Sequence, residues 1–389
     1  MASRLRAWAE IDLAAFRHNL ARVRDRAGAA AVWPVLKANA YGHGAVRMAR
    51  ICEEEGVERI GVGDSGEALE LRRAGVRTPV LVLGTVIDAE VPALFRHRIE
   101  VGVHSESRVR MLGAAARKAR RKLGVHLKID TGMTRLGVRP DAALRVAEAI
   151  AGEPWLELRG LMTHMASPEG FCDPFTRVQL RRFEQVLFQW SSAGKSLPAI
   201  HCANSAALFS GEQPFGDAVR VGLALYGLLP EGLAADPGLR PVLSLRTQIV
   251  FLKDIEAGTP VGYGGMWKAP QPTRIATLPI GYCDGVPYRL GREGRGAVLV
   301  RGRRCPLVGA ISMDYCTADV GHVDGTRVGD TATLAGRDGQ EELGLLELAR
   351  AAGTIPYEIT CSVGSRVRRV FFDAPLPAPA SSLAGPSPS

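Results

Sequence analysis

Along the first 230 residues, short apolar runs alternate with segments whose apolar positions recur every three or four residues. The runs at residues 32–37, 59–63, 80–84, 99–104, 125–130, 158–164, 199–203 and 218–222 have the length and β-branched content of buried strands. Amphipathic stretches lie between them, among others at residues 105–121, 141–150 and 175–192, and residues 12–25 supply a helix ahead of the first strand with Asp12 as its N-cap. Eight strands alternating with helices is the pattern of a parallel (β/α)8 barrel. A doubly wound open sheet has the same local signature and stays open on pattern alone.

Beyond about Pro230 the pattern changes. Residues 232–240 read as a linker rich in Gly, Ala and Pro. Short β-branched runs broken by Gly and Pro follow, at residues 245–255, 273–279, 297–300, 303–308, 316–319 and 330–335. Only residues 340–352 read as a helix of any length. The expected organisation is an α/β chain: an N-terminal TIM-like barrel over residues 1–239 and a C-terminal mainly-β domain over 240–373, with the first residues as candidates to pair with the β domain. Residues 374–389, low in complexity and rich in Pro, Ala and Ser, are expected to be a disordered tail.

Composition narrows the function. The chain has 389 residues, 46% hydrophobic and 23% charged, and no apolar run approaches a membrane span. No apolar segment follows the basic N-terminal residues, so a cytoplasmic protein is expected. The net charge of +9 raises the question of nucleic acid. Its densest run, residues 117–122, reads as a helix end, where cations complement the helix dipole, and no nucleic-acid-binding motif accompanies it. Seven scattered cysteines without C-x-x-C fit neither a disulfide framework nor a zinc site, and eight histidines show no ligand spacing, so no metal is expected.

The most informative segment is Pro34-Val35-Leu36-Lys37-Ala38-Asn39-Ala40-Tyr41-Gly42-His43-Gly44. A lysine ending a barrel strand lies at the C-terminal face, where desolvation lowers its pKa and makes it a nucleophile for an aldehyde. On strand position alone a snorkelling lysine would be the ordinary reading; the glycine-rich turn behind it, with a phenol able to reach a phosphate, tips the balance. A second block, Lys128-Ile129-Asp130-Thr131-Gly132-Met133-Thr134-Arg135, is a strand running into a turn that bears an arginine suited to a phenolate or carboxylate. His164 ends another strand, and Asn204-Ser205 and Arg220-Val221-Gly222-Leu223 follow or end the seventh and eighth, where this barrel usually binds phosphate.

These blocks resemble, in order and over about residues 8–372, those of the alanine racemases, pyridoxal-phosphate enzymes with a barrel and a β domain. The resemblance implies that Lys37 carries pyridoxal 5'-phosphate as a Schiff base, that Tyr41, Ser205, Gly222 and Leu223 hold its phosphate end, that Asn204 and His164 also belong to the cofactor site, and that Arg135 meets its phenolic oxygen and the substrate carboxylate. It places Arg220 against the pyridine nitrogen, leaving that nitrogen unprotonated and the ring a weak electron sink, which suppresses transamination. Lys128 matches a lysine carbamylated in some members. In the β domain, Leu278-Pro279-Ile280-Gly281-Tyr282-Cys283-Asp284-Gly285 resembles the second catalytic block, making Tyr282 the base opposite Lys37, with His164 tuning it. Met313 is matched to a backbone contact with the substrate carboxylate, and Tyr357 to a phosphate contact beside Tyr41. Residues 361–369 depart from the family's forms.

The implied activity is two-base interconversion of L- and D-alanine, supplying D-alanine for peptidoglycan, in a homodimer whose active sites are shared across the interface. A racemase of broader specificity for Ser, Lys or Arg is the alternative. A decarboxylase of the same architecture, which would lack the paired Lys37 and Tyr282 blocks, and a non-catalytic cofactor carrier made of the barrel alone fit less well.

Overall fold

The computed structural model describes residues 5–210, 216–230, 233, 238–292 and 294–373. The expected tail and much of the expected linker fall outside them. The chain divides into two compact units, one of residues 17–240 and one combining the residues before 17 with those from 241 onward.

The first unit is a (β/α)8 barrel. Its strands are Ala31–Pro34, Ile60–Val62, Val80–Val82, Ile99–Val103, Leu123–Lys128, Leu156–Met162, Ala199–His201 and Ala218–Val221. All pair in parallel with their sequence neighbours from the second to the eighth, and the eighth pairs with the first. A parallel bridge between Val35 and Gly61 closes the ring. The open-sheet alternative is thereby excluded, since each end strand has found the other.

Helices cover the outside, and local chemistry sets their ends. Helix Glu106–Ala119 begins where the Ser105 side chain accepts from the Arg108 amide, and it stops at Arg120 in the left-handed region. Helix Pro174–Ser192 is capped by Asp173, with proline in the first turn, where no amide is needed. Barrel strands alternate their side chains between the helices and the interior. In the fifth, Leu123, Val125 and Leu127 are buried hydrophobics, whereas the alternate set is Gly124, His126 and Lys128. The interior of this barrel is therefore partly polar.

The second unit is mainly β. A seven-stranded sheet runs in the order Arg303–Pro306, Ala297–Val300, Thr331–Asp338, Leu243–Gln248, Ala7–Asp12, Arg368–Phe372, with Glu341–Leu343 added to Thr331–Asp338. A three-stranded sheet comprises Phe251–Ile255, Thr273–Leu278 and Cys316–Asp319. Three expectations need correction. The single run 245–255 is two strands in different sheets: Ile249 donates to Asp330 O, Val250 to Thr277 O, and the chain changes partner between them. Residues 341–343 are not the start of a helix but fold back on residues 336–338 across the two-residue turn Gly339-Gln340, with glycine at the positive-φ position, and the helix spans only Leu345–Ala352. A further short helix, Pro356–Cys361, follows.

Strand Ala7–Asp12 is paired on both sides, antiparallel to Leu243–Gln248 and parallel to Arg368–Phe372. Its Ile11 is fully buried. Ile11→Ala is expected to destabilise this unit by about 2–5 kcal/mol, read as a lower urea midpoint for its unfolding transition with the barrel's transition unmoved.

Candidate active site

The barrel strand leading to Lys37 is Ala31–Pro34, and its pairing continues through the Val35–Gly61 bridge to the Leu36 amide, which donates to Gly61 O, so the lysine stands directly past the strand's end with its side chain exposed. From Ala38 to Tyr41 the backbone makes a turn of left-handed helix, with φ between 53° and 55° at four non-glycine residues. Each such residue costs about 1–2 kcal/mol, and specific bonds hold the turn. Glu67 accepts from the Ala38 amide (2.5 Å) and from the Gly63 amide (2.7 Å), while the Asn39 side chain accepts from the Ala45 amide (2.8 Å). Leu36 O, Ala38 O and Asn39 O accept from the amides of Ala40, Gly42 and Gly44. The turn places the Lys37 ammonium 6.0 Å from the centroid of the Tyr41 ring. Tyr41 packs on buried Tyr226, which stacks on His43 and hydrogen-bonds Val35 O.

At the ends of the seventh and eighth strands, Ser205 Oγ accepts from the amides of Gly222 (3.2 Å) and Ala224 (3.3 Å). Asn204 caps the short helix Ser205–Phe209 by accepting from the Ala207 amide. A Cβ on Gly222 would lie 2.3 Å from the Tyr41 hydroxyl. Glycine is required there because that hydroxyl closes over the backbone. The result is a cradle of two amides and two hydroxyls, with Leu223 buried behind it. Its donors suit a phosphate group.

Arg220 is 5% exposed. Its guanidinium donates to three carbonyls, His201 O (2.5 Å), Thr163 O (2.7 Å) and Cys202 O (3.2 Å), and lies against the rings of His201 (3.0 Å) and His164 (3.2 Å). Burial pulls its pKa down to about 10, which still leaves it charged. Burial, then the Arg220 cation, push His164 well below the usual histidine range. A neutral His164 that accepts from Arg220 at Nδ1 carries its proton on Nε2, free to donate.

Asp130 shapes the Arg135 loop by accepting from the amides of Gly132 and Thr134, both at 3.0 Å. Arg135 itself is exposed and has no hydrogen-bond partner among the described residues. Gln179, which sequence reading missed, ties this loop to the His164 strand by donating to Thr131 Oγ1 and His164 O. Lys128 is buried and donates to Leu83 O, and desolvation, with Arg220 beside it, lowers its pKa to about 8.

In the β unit, Tyr282 stands in a turn, 45% exposed, its ring 6.2 Å from that of Tyr288. Met313 is 53% exposed, and Tyr357 is half-buried on Pro356–Cys361. Arg366, in the stretch where motif matching gave out, joins the first two loops. It grips buried Asp284 through two bonds (3.0 and 3.1 Å) and Asp314 through a third (2.7 Å). Tyr263 was also missed. It is 77% exposed on Gly262-Tyr263-Gly264-Gly265, whose three glycines all have positive φ. A cavity of about 380 Å³ lined by Tyr263, Ala310, Ser312 and Tyr315 lies beside it. The signal available in the sequence was the run of glycines around the tyrosine, which permits the positive φ that this turn adopts.

Residues 11–230 match the model of the alanine racemase N-terminal domain and residues 242–371 that of its C-terminal domain. The chain belongs to the alanine racemase family. It is 40% identical to the alanine racemase of Symbiobacterium thermophilum over 94% of this chain and 96% of that one. Among solved structures, the alanine racemase of the D-cycloserine producer Streptomyces lavendulae superposes with a TM-score of 0.90 at 36% identity, covering 95% of this chain and 98% of that one. The alanine racemase of Bartonella henselae, solved with covalently bound pyridoxal phosphate, has a TM-score of 0.84 at 29% identity over 94% and 99%. Among the described residues, no helix is long and apolar enough to cross a membrane.

Two outcomes test this geometry. Gly222→Ala should weaken binding of pyridoxal phosphate by at least about tenfold, measured by fluorescence titration, because its methyl group and the Tyr41 hydroxyl cannot share the same space. Lys128 binds its proton less tightly folded than unfolded. Stability should therefore decline as pH falls from about 10.5 to about 8 and level off below that. In urea titrations across that range, Lys128→Met should lack this slope.

Proposed function

We propose that this racemase-family chain interconverts L- and D-alanine with pyridoxal 5'-phosphate held on Lys37. The observation that carries the reading is the phosphate cradle of Ser205, Gly222 and Ala224 closed by Tyr41, on the same turn that delivers Lys37. These residues fit the cofactor: the cradle suits its phosphate, Lys37 its aldehyde carbon, Arg220 its ring nitrogen and Arg135 its phenolic oxygen. Asn204 fixes the helix that bears Ser205, and Leu223 backs the phosphate end; Tyr357 is matched to that end by motif resemblance alone. When bound, the cofactor supplies a carbonyl for the substrate amine and a conjugated ring that makes the Cα–H acidic.

The protein's own residues move the proton. Lys37 Nζ takes it from, or returns it to, one face of Cα. A second base is needed on the opposite face, and a phenol that exchanges its proton can fill that role. His164 assists, because its Nε2–H can donate to a phenolate and its Nδ1 rests on the Arg220 cation. Two tyrosines of the β unit are candidates. Motif resemblance favours Tyr282. Presentation favours Tyr263, whose ring stands 77% exposed on a turn of positive-φ glycines, whereas that of Tyr282 is edge-packed on Tyr288. We take Tyr263 as the base and Tyr282 as a lining residue near the substrate's path. An outward-facing phenol and the exposed Met313, matched to a substrate-carboxylate contact, suit a homodimer in which each β unit completes its partner's barrel site.

The test is a chirality-resolved assay on L- and D-alanine, beside L-serine, L-lysine and L-arginine. Rapid D-alanine formation that Lys37→Ala abolishes is expected; a faster reaction with the other three substrates would move the activity to a broader racemase. Tyr263→Phe should retain the visible absorbance of bound cofactor and lose at least about 10²-fold in racemisation, unequally in the two directions. Tyr282→Phe should lose less. The reverse ranking would restore Tyr282 as the base.

A further inference from the structure

A chain of polar side chains runs through the barrel interior to Arg220. Arg59 pairs with Glu100 through two bonds (2.8 and 3.3 Å). Glu100 Oε2 lies 3.0 Å from His126 Nε2, His126 Nδ1 lies 2.9 Å from His201 Nε2, and His201 Nδ1 lies 3.0 Å from Arg220 Nη1. Both imidazoles are fully buried. Trp33 covers them, its ring 4.6 Å from that of His201 and 6.0 Å from that of His126, with the Arg59 guanidinium 4.4 Å away. The barrel makes room for the pair at Gly160, where a Cβ would lie 2.4 Å from His126 Nδ1 and 2.9 Å from His201 Nε2.

The two ends of the chain fix every proton in it. A guanidinium only donates, so His201 Nδ1 must accept and His201 Nε2 must carry hydrogen. That hydrogen points at His126 Nδ1, which therefore accepts, leaving the hydrogen on His126 Nε2 to face Glu100. The Glu100 carboxyl is held ionised at a pKa of about 2: its own desolvation opposes this, and His126 and Arg59 together overcome it. Both histidines are pushed below the usual range, chiefly by burial, so each carries one proton. All donors then point from Arg220 toward Glu100. Among the described residues no carboxylate touches Arg220, and Glu100 is the acid at the far end of its hydrogen-bond chain.

We propose that Glu100, acting through His126 and His201, is the remote counter-charge that positions Arg220 and limits how strongly it donates to a ring nitrogen. The proton order stands on this geometry alone; the effect on chemistry rests on the reading that Arg220 faces the cofactor's pyridine nitrogen. Removing the charge makes Arg220 a more acidic, stronger donor, and so makes the ring a better electron sink. More turnovers should then end in transamination, in which the alanine amino group is exchanged for the cofactor's carbonyl oxygen and pyruvate is released.

The experiment uses the cofactor-loaded protein. In ¹⁵N-histidine-labelled wild type, with signals assigned through His126→Asn and His201→Asn, both rings should be in the Nε2–H form; a protonated Nδ1 on His201 would overturn the proton order. Glu100→Gln keeps the shape and the acceptor but removes the charge. It should raise the ratio of pyruvate to D-alanine by roughly tenfold, as one unit of donor acidity would give. A ratio equal to wild type, with only the melting temperature lowered, would reduce the chain to scaffolding and end the proposal. Loaded wild type that racemises no amino acid would instead defeat the functional reading and leave the proton order standing.

Discussion

A buried guanidinium must find acceptors for its donors without water, and the barrel interior is arranged around that requirement. Arg220 takes three backbone carbonyls from the ends of the sixth and seventh strands and two imidazoles from the same strands. The carbonyls are available because strand pairing stops at Met162 and His201, so Thr163 and Cys202 lie just past the ladder. The cation in turn acts on its neighbours: after burial itself, it is the main influence that keeps His164 neutral and lowers Lys128, and it orders the protons of His201.

Around that centre the site is assembled from backbone rather than from long side chains. The cradle consists of amides at Gly222 and Ala224 turned toward Ser205, and the Lys37 turn is a left-handed stretch held by Glu67 and Asn39. Such a turn is unfavourable by itself, so its bonds do more than decorate it: they decide where the lysine and the Tyr41 hydroxyl stand. In the β unit Arg366 does the equivalent work, pinning the Tyr282 and Met313 loops to each other through Asp284 and Asp314.

Periodicity located all eight barrel strands, because each buries alternate residues against helices and must carry apolar side chains to do so. It did not mark Ala7–Asp12 or Arg368–Phe372 as strands, which acquire a sheet only from each other and from Leu243–Gln248, although the first residues were expected to pair with the β domain and do. It also merged two strands across residues 249–250, since apolar alternation continues while the pairing partner changes. Local contiguous motifs exposed the family and, through it, put forward Lys37, Tyr41, Arg135, Ser205 and Arg220 as site residues. Arg366 and Gln179 escaped because each acts on residues far from it in sequence.

By itself, then, the sequence determined the family and the residue types available for proton transfer and anion binding, because these depend on contiguous blocks in order; its local pattern left barrel and open sheet equal until the first and eighth strands paired. The tertiary structure alone decided which of those residues meet. That Gly160 is empty to admit two imidazoles, that Glu100 and Arg220 lie at opposite ends of one hydrogen-bonded chain, and that Tyr263 is the more exposed phenol are facts about neighbours in space. A proton order fixed by a donor-only arginine and an acceptor-only carboxylate exists only once folding has joined them, since each partner is distant in the chain and its charge is tolerable in the interior only beside the others.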